Sequence, residues 1–264
     1  MKIWVRMLTL LGSWAGGWAC GGEVWADSPS PVAVEIVAPD GRVFQEFPVT
    51  AHDGSWRSYL QAEKGARYEV RVRNTTGERL GLVIAVDGRN IISGEKSGLG
   101  REEPMYVLGC GESQSYAGWR ANLDAINEFY FTDWSDSYAE AFGDRSARGV
   151  IAVAVYREDT PPRPVYQTHP EEERSAADAA PAAGAPQKSG RQSRADSAGT
   201  GYGDRRIDRA VEVEFVARSD PDSRHFIKYE WRDSLCRKRV LECGEQNRFW
   251  DESTLGFAPP PPRR

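Results

Sequence analysis

Alternation of apolar and charged side chains is the feature that most constrains what this chain can fold into. Tyr68, Val70 and Val72 alternate with charged residues, and the same period of two recurs over residues 211–215 and 227–231. Successive side chains of a strand point to opposite faces of a sheet. The pattern therefore predicts strands that bury one face and expose the other.

Many short strands separated by turn residues, with few helices, predict an all-β fold, namely an antiparallel β-sandwich of the jelly-roll or Ig-like kind. A small barrel is the alternative. Two short helical segments are expected, one turn over residues 122–127 and a helix over 135–143 that Ser137 and Glu140 would cap and Gly143 would end. The predicted strands cover residues 32–37, 43–47, 68–73, 80–86, 114–119, 128–132, 150–156, 211–215 and 227–231. The last two are expected to pair as a hairpin across Asp220-Pro221-Asp222.

The first 26 residues have the character of a signal peptide. Lys2 and Arg6 precede an uncharged stretch over residues 7–19, and Val24-Trp25-Ala26 resembles a cleavage site before Asp27. The stretch is too short and too rich in glycine to span a bilayer. The mature chain is thus expected to be exported, periplasmic or extracellular, without a transmembrane segment. A lipid anchor at Cys20 is the alternative.

Composition divides the rest of the chain into ordered and disordered parts. Residues 159–198 are rich in Pro, Ala, Ser, Glu and Arg without periodicity, which predicts a disordered insertion between the first part of the sandwich, residues 27–158, and its closing strands with a C-terminal extension, residues 199–257. Residues 258–264, with four consecutive prolines, are expected to form an extended, disordered tail.

Cysteine spacing suits a disulfide in an oxidising compartment. Cys236 and Cys243 can close a small loop, and Cys110 could pair with either of them. Removing the leader leaves three cysteines, so one free thiol is expected. No CxxC motif supports a zinc ribbon or a thiol-redox site.

Several classes of function lack their sequence signals. The formal charge of −5 argues against a nucleic-acid partner. The three histidines, His52, His169 and His225, form no HExxH motif, and the chain has neither a GxSxG elbow nor a P-loop. Neither a cofactor, a metal nor a catalytic residue is therefore assigned.

Five carboxylates keep an enzymatic alternative open. Glycosidic hydrolysis requires two carboxyl groups on one cleft. The candidates are Asp87, Asp124, Glu128, Asp133 and Asp136.

The stretch Ile84-Ala-Val-Asp-Gly-Arg-Asn-Ile-Ile-Ser-Gly94 combines a turn with polar groups. Asp-Gly after an apolar run predicts a tight hairpin turn, in which Asp87 is expected to bond local backbone amides. Side chains just beyond the turn could still face outward with nearby aromatic residues. The candidate binding residues are Arg89, Asn90, Trp119, Trp134 and Tyr138.

The order of these segments resembles a known group of proteins. Val86-Asp-Gly-Arg-Asn90, Gly118-Trp-Arg120, Asp136-Ser-Tyr-Ala139 and Gly149-Val-Ile-Ala-Val-Ala-Val-Tyr156 are similar to an uncharacterised family of exported bacterial β-rich proteins. The resemblance implies a secreted or envelope β-rich domain with a variable Pro/Ala-rich insertion. It implies no activity.

These observations favour a non-enzymatic envelope or periplasmic protein that binds a protein or glycan partner. Two alternatives are a carbohydrate-active hydrolase that uses paired carboxylates and a structural subunit of a surface assembly with the insertion as its spacer.

Overall fold

The computed structural model describes residues 3–7, 30–159 and 197–243, with backbone only for residues 3–7. The predicted insertion and tail therefore lie outside the described residues, apart from the ends of the insertion, and so does the leader apart from one strand. Within the described ranges, no helix is long and apolar enough to cross a membrane.

Strands dominate the described chain, and the helices are short. The strands are β1 (Ile3–Met7), β2 (Val32–Val37), β3 (Glu46–Val49), β4 (Trp56–Ala62), β5 (Glu69–Asn74), β6 (Leu80–Val86), β7 (Arg89–Asn90), β8 (Tyr106–Leu108), β9 (Ser113–Tyr116), β10 (Gly118–Asn122), β11 (Ala125–Glu128), β12 (Phe131–Asp133), β13 (Val150–Arg157), β14 (Ala198–Thr200), β15 (Arg205–Ile207), β16 (Ala210–Glu214) and β17 (Ser223–Trp231). The α-helices are α1 (Tyr138–Ala141) and α2 (Arg232–Arg237), and a 3₁₀ turn spans Trp134–Asp136.

One large sheet organises the molecule. Its strands follow the order β16-β1-β8-β6-β13-β17-β4-β3, and β7 pairs with β6. Most pairs are antiparallel, whereas β4 runs parallel to β17 and β1 runs parallel to β8. Three smaller sheets, β2-β5-β9, β10-β11-β15 and β12-β14, complete the fold. The all-β, sandwich-like prediction is confirmed.

Apolar clusters cover both faces of the large sheet at its centre. Leu82, Ile84 and Val86 of β6 belong to the larger cluster, which also receives side chains from β2 and β5. Val83 belongs to a second cluster with Phe215 and other residues. Because β6 is buried on both faces, its sequence is a continuous apolar run rather than an alternating one.

The smaller sheet β2-β5-β9 shows the predicted alternation. Tyr68, Val70 and Val72 are buried, whereas Arg73 is exposed. The short helix α1 is capped as predicted, because the hydroxyl of Ser137 accepts a hydrogen bond from the amide of Glu140 at 3.2 Å. The Glu140 carboxylate completes no capping box, since it accepts from Trp134 and Arg145 instead.

Two local predictions are wrong. The segments 211–215 and 227–231 form no hairpin, because β16 pairs with β1 whereas β17 lies between β13 and β4. Alternation identifies a strand but carries no information about its partner. The expected helical turn over residues 122–127 is instead the tip of the β10–β11 hairpin, where the Asn122 side chain accepts from the amide of Asp124.

The structure contains the disulfide between Cys236 and Cys243, with a Cα–Cα distance of 5.5 Å. It joins the end of α2 to the last described residue. Cys110 is also disulfide-bonded, and no cysteine in the described ranges is free. The free thiol was expected of the chain without its leader and stays a prediction.

Candidate functional site

The turn after β6 begins the site. Asp87 and Gly88 have φ values of 50° and 84°, and β7 pairs back onto β6 immediately after them. Positive φ at both central residues is typical of the tight hairpin turn that Asp-Gly predicts. The predicted turn is therefore present, but the Asp87 side chain points away from it into the protein.

Asp87 is completely buried and accepts three hydrogen bonds from distant segments. Its carboxylate oxygens lie 2.7 Å from the amide nitrogen of Gly149, 2.8 Å from that of Thr200 and 2.6 Å from the hydroxyl of Tyr229. The expectation that Asp87 would bond local amides is wrong. These donors are 62, 113 and 142 residues away in the sequence, so no local pattern could identify them.

A chain of hydroxyl groups extends this contact. Tyr229 donates its one proton to Asp87, so the hydroxyl of Thr200, 2.7 Å away, must donate to Tyr229. Tyr68, 2.8 Å from Thr200, then donates to Thr200. The order of donation is therefore Tyr68 to Thr200 to Tyr229 to Asp87, and we call these four residues the buried network.

Burial raises the pKa of Asp87 to about 6, against the opposing effect of its three hydrogen-bond donors and of nearby Lys228. A carboxylate removed from water loses its hydration, which disfavours the charged form. Burial likewise raises the pKa of Tyr229 and that of Tyr68, so both phenols stay protonated donors at neutral pH.

The buried network fixes the segments that present an aromatic surface. Thr200 belongs to β14 and lies two residues before Tyr202, while a side chain at the neighbouring Gly199 would collide with Ser137, the cap of α1. Trp119 is buried below, where its indole donates to the carbonyl of Gly201 at 3.1 Å. Its ring lies 4.3 Å from that of Tyr138.

Tyr138, Phe142 and Tyr202, together with Arg89, form what we call the aromatic surface. The ring of Tyr138 stacks on that of Tyr202 with centroids 5.3 Å apart and meets the ring of Phe142 at 4.9 Å. The Arg89 guanidinium lies 4.2 Å from the centroid of Phe142. Phe142 is 58% exposed and Tyr202 49%, whereas Tyr138 and Arg89 are half-buried.

The predicted binding residues divide between this surface and the protein interior. Arg89 and Tyr138 belong to the aromatic surface, and Trp119 supports it from below. Asn90 is buried and holds its own loop, accepting from the amide of Ile92 at 2.9 Å and donating to the carbonyl of Pro104.

Trp134 is also buried, and its indole donates to Glu140 at 2.6 Å. Neither Asn90 nor Trp134 is therefore available to a partner through its side chain.

Sequence reasoning missed Phe142 and Tyr202. Phe142 follows the four-residue helix α1 and precedes Gly143, and Tyr202 lies between Gly201 and Gly203. A Cβ at Gly201 would come within 2.1 Å of the Tyr130 ring. The glycines thus permit the close packing that turns Tyr202 outward. An aromatic residue flanked by two glycines is the sequence pattern that could have indicated this exposed ring.

The five candidate carboxylates have separate roles. Asp87 is buried in its network, and Glu128 forms ion pairs with Arg67 and Arg206 at 3.2 and 3.4 Å. Asp133 pairs with Lys64 at 2.5 Å. The remaining two, Asp124 and Asp136, are exposed.

No group of three or more metal-ligating side chains occurs in the described ranges. No protein-family model matches the chain, and no curated protein or solved structure shows significant similarity to it.

Replacing Asp87 with Asn tests the buried network through pH. Because folding raises the pKa of Asp87 from 3.8 to about 6, its contribution to stability is complete below about pH 4 and declines as the pH rises through about 6. We expect Asp87→Asn to destabilise the protein at every pH, by about 1–3 kcal/mol, because the new amide faces an N–H donor. The loss should be larger at pH 4.5 than at pH 7.5.

The measurement is urea unfolding of both proteins across this range. Taking the difference between the two removes the titration of all other carboxyl groups. A difference that stays constant from pH 4.5 to 7.5 would contradict the raised pKa.

Proposed function

We propose that this chain is an exported, non-enzymatic protein that binds a protein or glycan partner of the cell envelope through the aromatic surface. The observation that carries the proposal is the pair of exposed rings, Phe142 and Tyr202, both of which contact the ring of Tyr138.

Aromatic rings of this kind suit recognition. They offer large apolar faces with little side-chain entropy to lose, and interfaces are enriched in Tyr, Phe and Arg. The hydroxyl of Tyr202 already accepts from Asn127 at 2.6 Å, which holds the ring in place before any partner arrives. Arg89 over Phe142 adds a cation beside the apolar faces.

Hydrolysis is less well supported by the same geometry. A glycosidase needs one carboxylate as an acid and a second as a base or nucleophile, both facing the substrate. Asp87 is sealed from solvent, while Glu128 and Asp133 are neutralised by Arg and Lys partners. These contacts favour structural roles for three of the five candidates.

Export is supported by the leader sequence, with its basic start, its uncharged stretch and the Val24-Trp25-Ala26 site. Cleavage before Asp27 would remove β1, which pairs with β16 in the structure. The ends of the β16 segment have other anchors. The amide of Ala210 donates to the carbonyl of Leu123 at 2.7 Å, and the amide of Asp159 donates to the carbonyl of Val216 at 2.6 Å. These two hydrogen bonds still hold the ends of the segment after the leader has gone.

Export predicts a shortened protein outside the cytoplasm. Intact-mass measurement of the chain recovered from the periplasm or medium should give a product that begins at Asp27. Recovery of the full-length chain from the cytoplasm alone would contradict export, and a lipid-modified product beginning at Cys20 would support the anchored alternative.

Binding through the aromatic surface predicts a sharp effect of two substitutions. Phe142→Ala and Tyr202→Ala should each weaken binding to envelope glycans or proteins at least about tenfold, because exposed aromatic anchors carry much of the energy of an interface. The measurement is binding of the purified chain to separate glycan and protein fractions of the envelope.

Trp56→Ala is the matched control, since Trp56 is 42% exposed and stacks on His225 rather than on the aromatic surface. It should leave binding unchanged. Equal binding by all variants of unchanged melting temperature would overturn the assignment of this surface.

A further inference from the structure

The exposed rings of the aromatic surface are suited to bind a proline-rich segment, and this chain contains one. Residues 258–264 read Ala-Pro-Pro-Pro-Pro-Arg-Arg. Consecutive prolines favour the polyproline II helix, whose preformed shape docks on grooves lined by aromatic rings at a low entropic cost.

We propose that the proline tail, residues 258–264, docks on the aromatic surface of its own chain and thereby competes with the external partner. The inference rests on the proposed function, because it assigns a proline-rich ligand class to the same surface.

The strand that leads into the last described segment ends on the same side of the large sheet as this surface. Tyr229 of β17 bonds Asp87 in the buried network, and α2 with its disulfide follows β17 directly. The amide of Tyr229 donates to the carbonyl of Gly149 at 2.8 Å. The preceding residue, Arg148, places its guanidinium 5.0 Å from the ring of Trp134, which lies beside α1. The end of β17 and the aromatic surface are therefore at the same end of the large sheet.

The connecting length is sufficient. Fifteen residues, 244–258, separate Cys243 from the first proline of the tail. A flexible chain of that length has a mean end-to-end distance of about 20 Å and a maximum of about 50 Å. A domain of this size is about 40 Å across, so the tail can reach the surface without strain.

The charges are also complementary at one edge. Asp136 is exposed, lies two residues before Tyr138 and has no ion-pair partner among residues 30–159 and 197–243. Arg263 and Arg264 follow the prolines directly, so they can pair with this carboxylate while the prolines contact the rings of Tyr138, Phe142 and Tyr202. The prolines thus supply the apolar contact, and the arginines fix the orientation in which the tail lies on the surface.

The experiment uses the full chain and a synthetic peptide of residues 256–264, Gly-Phe-Ala-Pro-Pro-Pro-Pro-Arg-Arg. In the test variant, Pro259–Pro262 are all replaced with Ser. The control variant carries Pro161→Ser and Pro162→Ser, which alter prolines of the insertion. Binding of the peptide is measured by NMR titration, with the signals of Tyr138, Phe142 and Tyr202 as reporters.

Docking in the same chain predicts that the peptide binds the test variant at least tenfold more tightly than the parent chain or the control variant. The attached tail competes because its effective concentration is about millimolar. Phe142→Ala in the test variant should abolish peptide binding. Signals of Tyr138 and Tyr202 should shift between parent and test variant without any peptide.

Two results would overturn the inference. Absence of peptide binding to the test variant at millimolar concentration, with unchanged signals at the three rings, would exclude this tail as the occupant. A shift of these signals between parent and test variant that appears only at high protein concentration would mean that the surface binds the tail of a second copy of the chain instead. If Phe142→Ala still weakens partner binding at least about tenfold in either case, the proposed function stands and only the tail assignment fails.

Discussion

The carboxylate of Asp87 is the interaction on which the rest of the structure depends. A buried charge is costly unless polar groups replace the water that it loses. Here the amides of Gly149 and Thr200 and the hydroxyl of Tyr229 do so, and each belongs to a different segment of the chain. These segments must therefore assemble together before the carboxylate is satisfied. A wrong register at any of them would leave a buried donor or acceptor unpaired, which couples local pairing to the global fold.

The position of this contact explains where the aromatic surface lies. β14 is only three residues long and pairs with β12, outside the large sheet. The hydrogen bond from the Thr200 amide to Asp87 fastens it to the end of β6, and Tyr202 follows at once. On the other side, α1 packs against β14 through Ser137 and Gly199. The exposed rings are thus carried by short elements that one buried contact holds in place, although such elements would have little stability of their own.

Much of the fold could be predicted from the sequence, because a strand can be recognised from the pattern of its own neighbouring residues. Two kinds of strand are predicted in this way. The alternation over residues 68–73 indicates a half-buried strand, and the apolar run over residues 80–86 indicates a fully buried one. Partner choice could not be predicted in the same way, as the failed hairpin between residues 211–215 and 227–231 illustrates. Strand β17 pairs instead with β13 and β4, whose register depends on packing across the whole sheet.

The site was less accessible to sequence reasoning. The Asp-Gly pair identifies Asp87 as a turn residue, yet its donors lie up to 142 residues away and no local pattern identifies them. Clustering of polar and aromatic residues near turns correctly predicts Arg89 and Tyr138 as members of this surface. Asn90 and Trp134 satisfied the same rule and are buried, since exposure depends on tertiary packing rather than on residue type.

Native-state hydrogen exchange of the Thr200 amide tests the role of Asp87 most directly. Thr200 donates to a buried carboxylate, whereas the amide of Ser55 donates to the exposed carboxylate of Asp53 at 3.1 Å and serves as a matched reference. The amides of Thr200 and Gly149 are predicted to exchange only through global unfolding, with a free energy of opening equal to that of unfolding, while Ser55 exchanges through local motion. Exchange of Thr200 as fast as that of Ser55 would show that β14 opens independently, and would contradict the account.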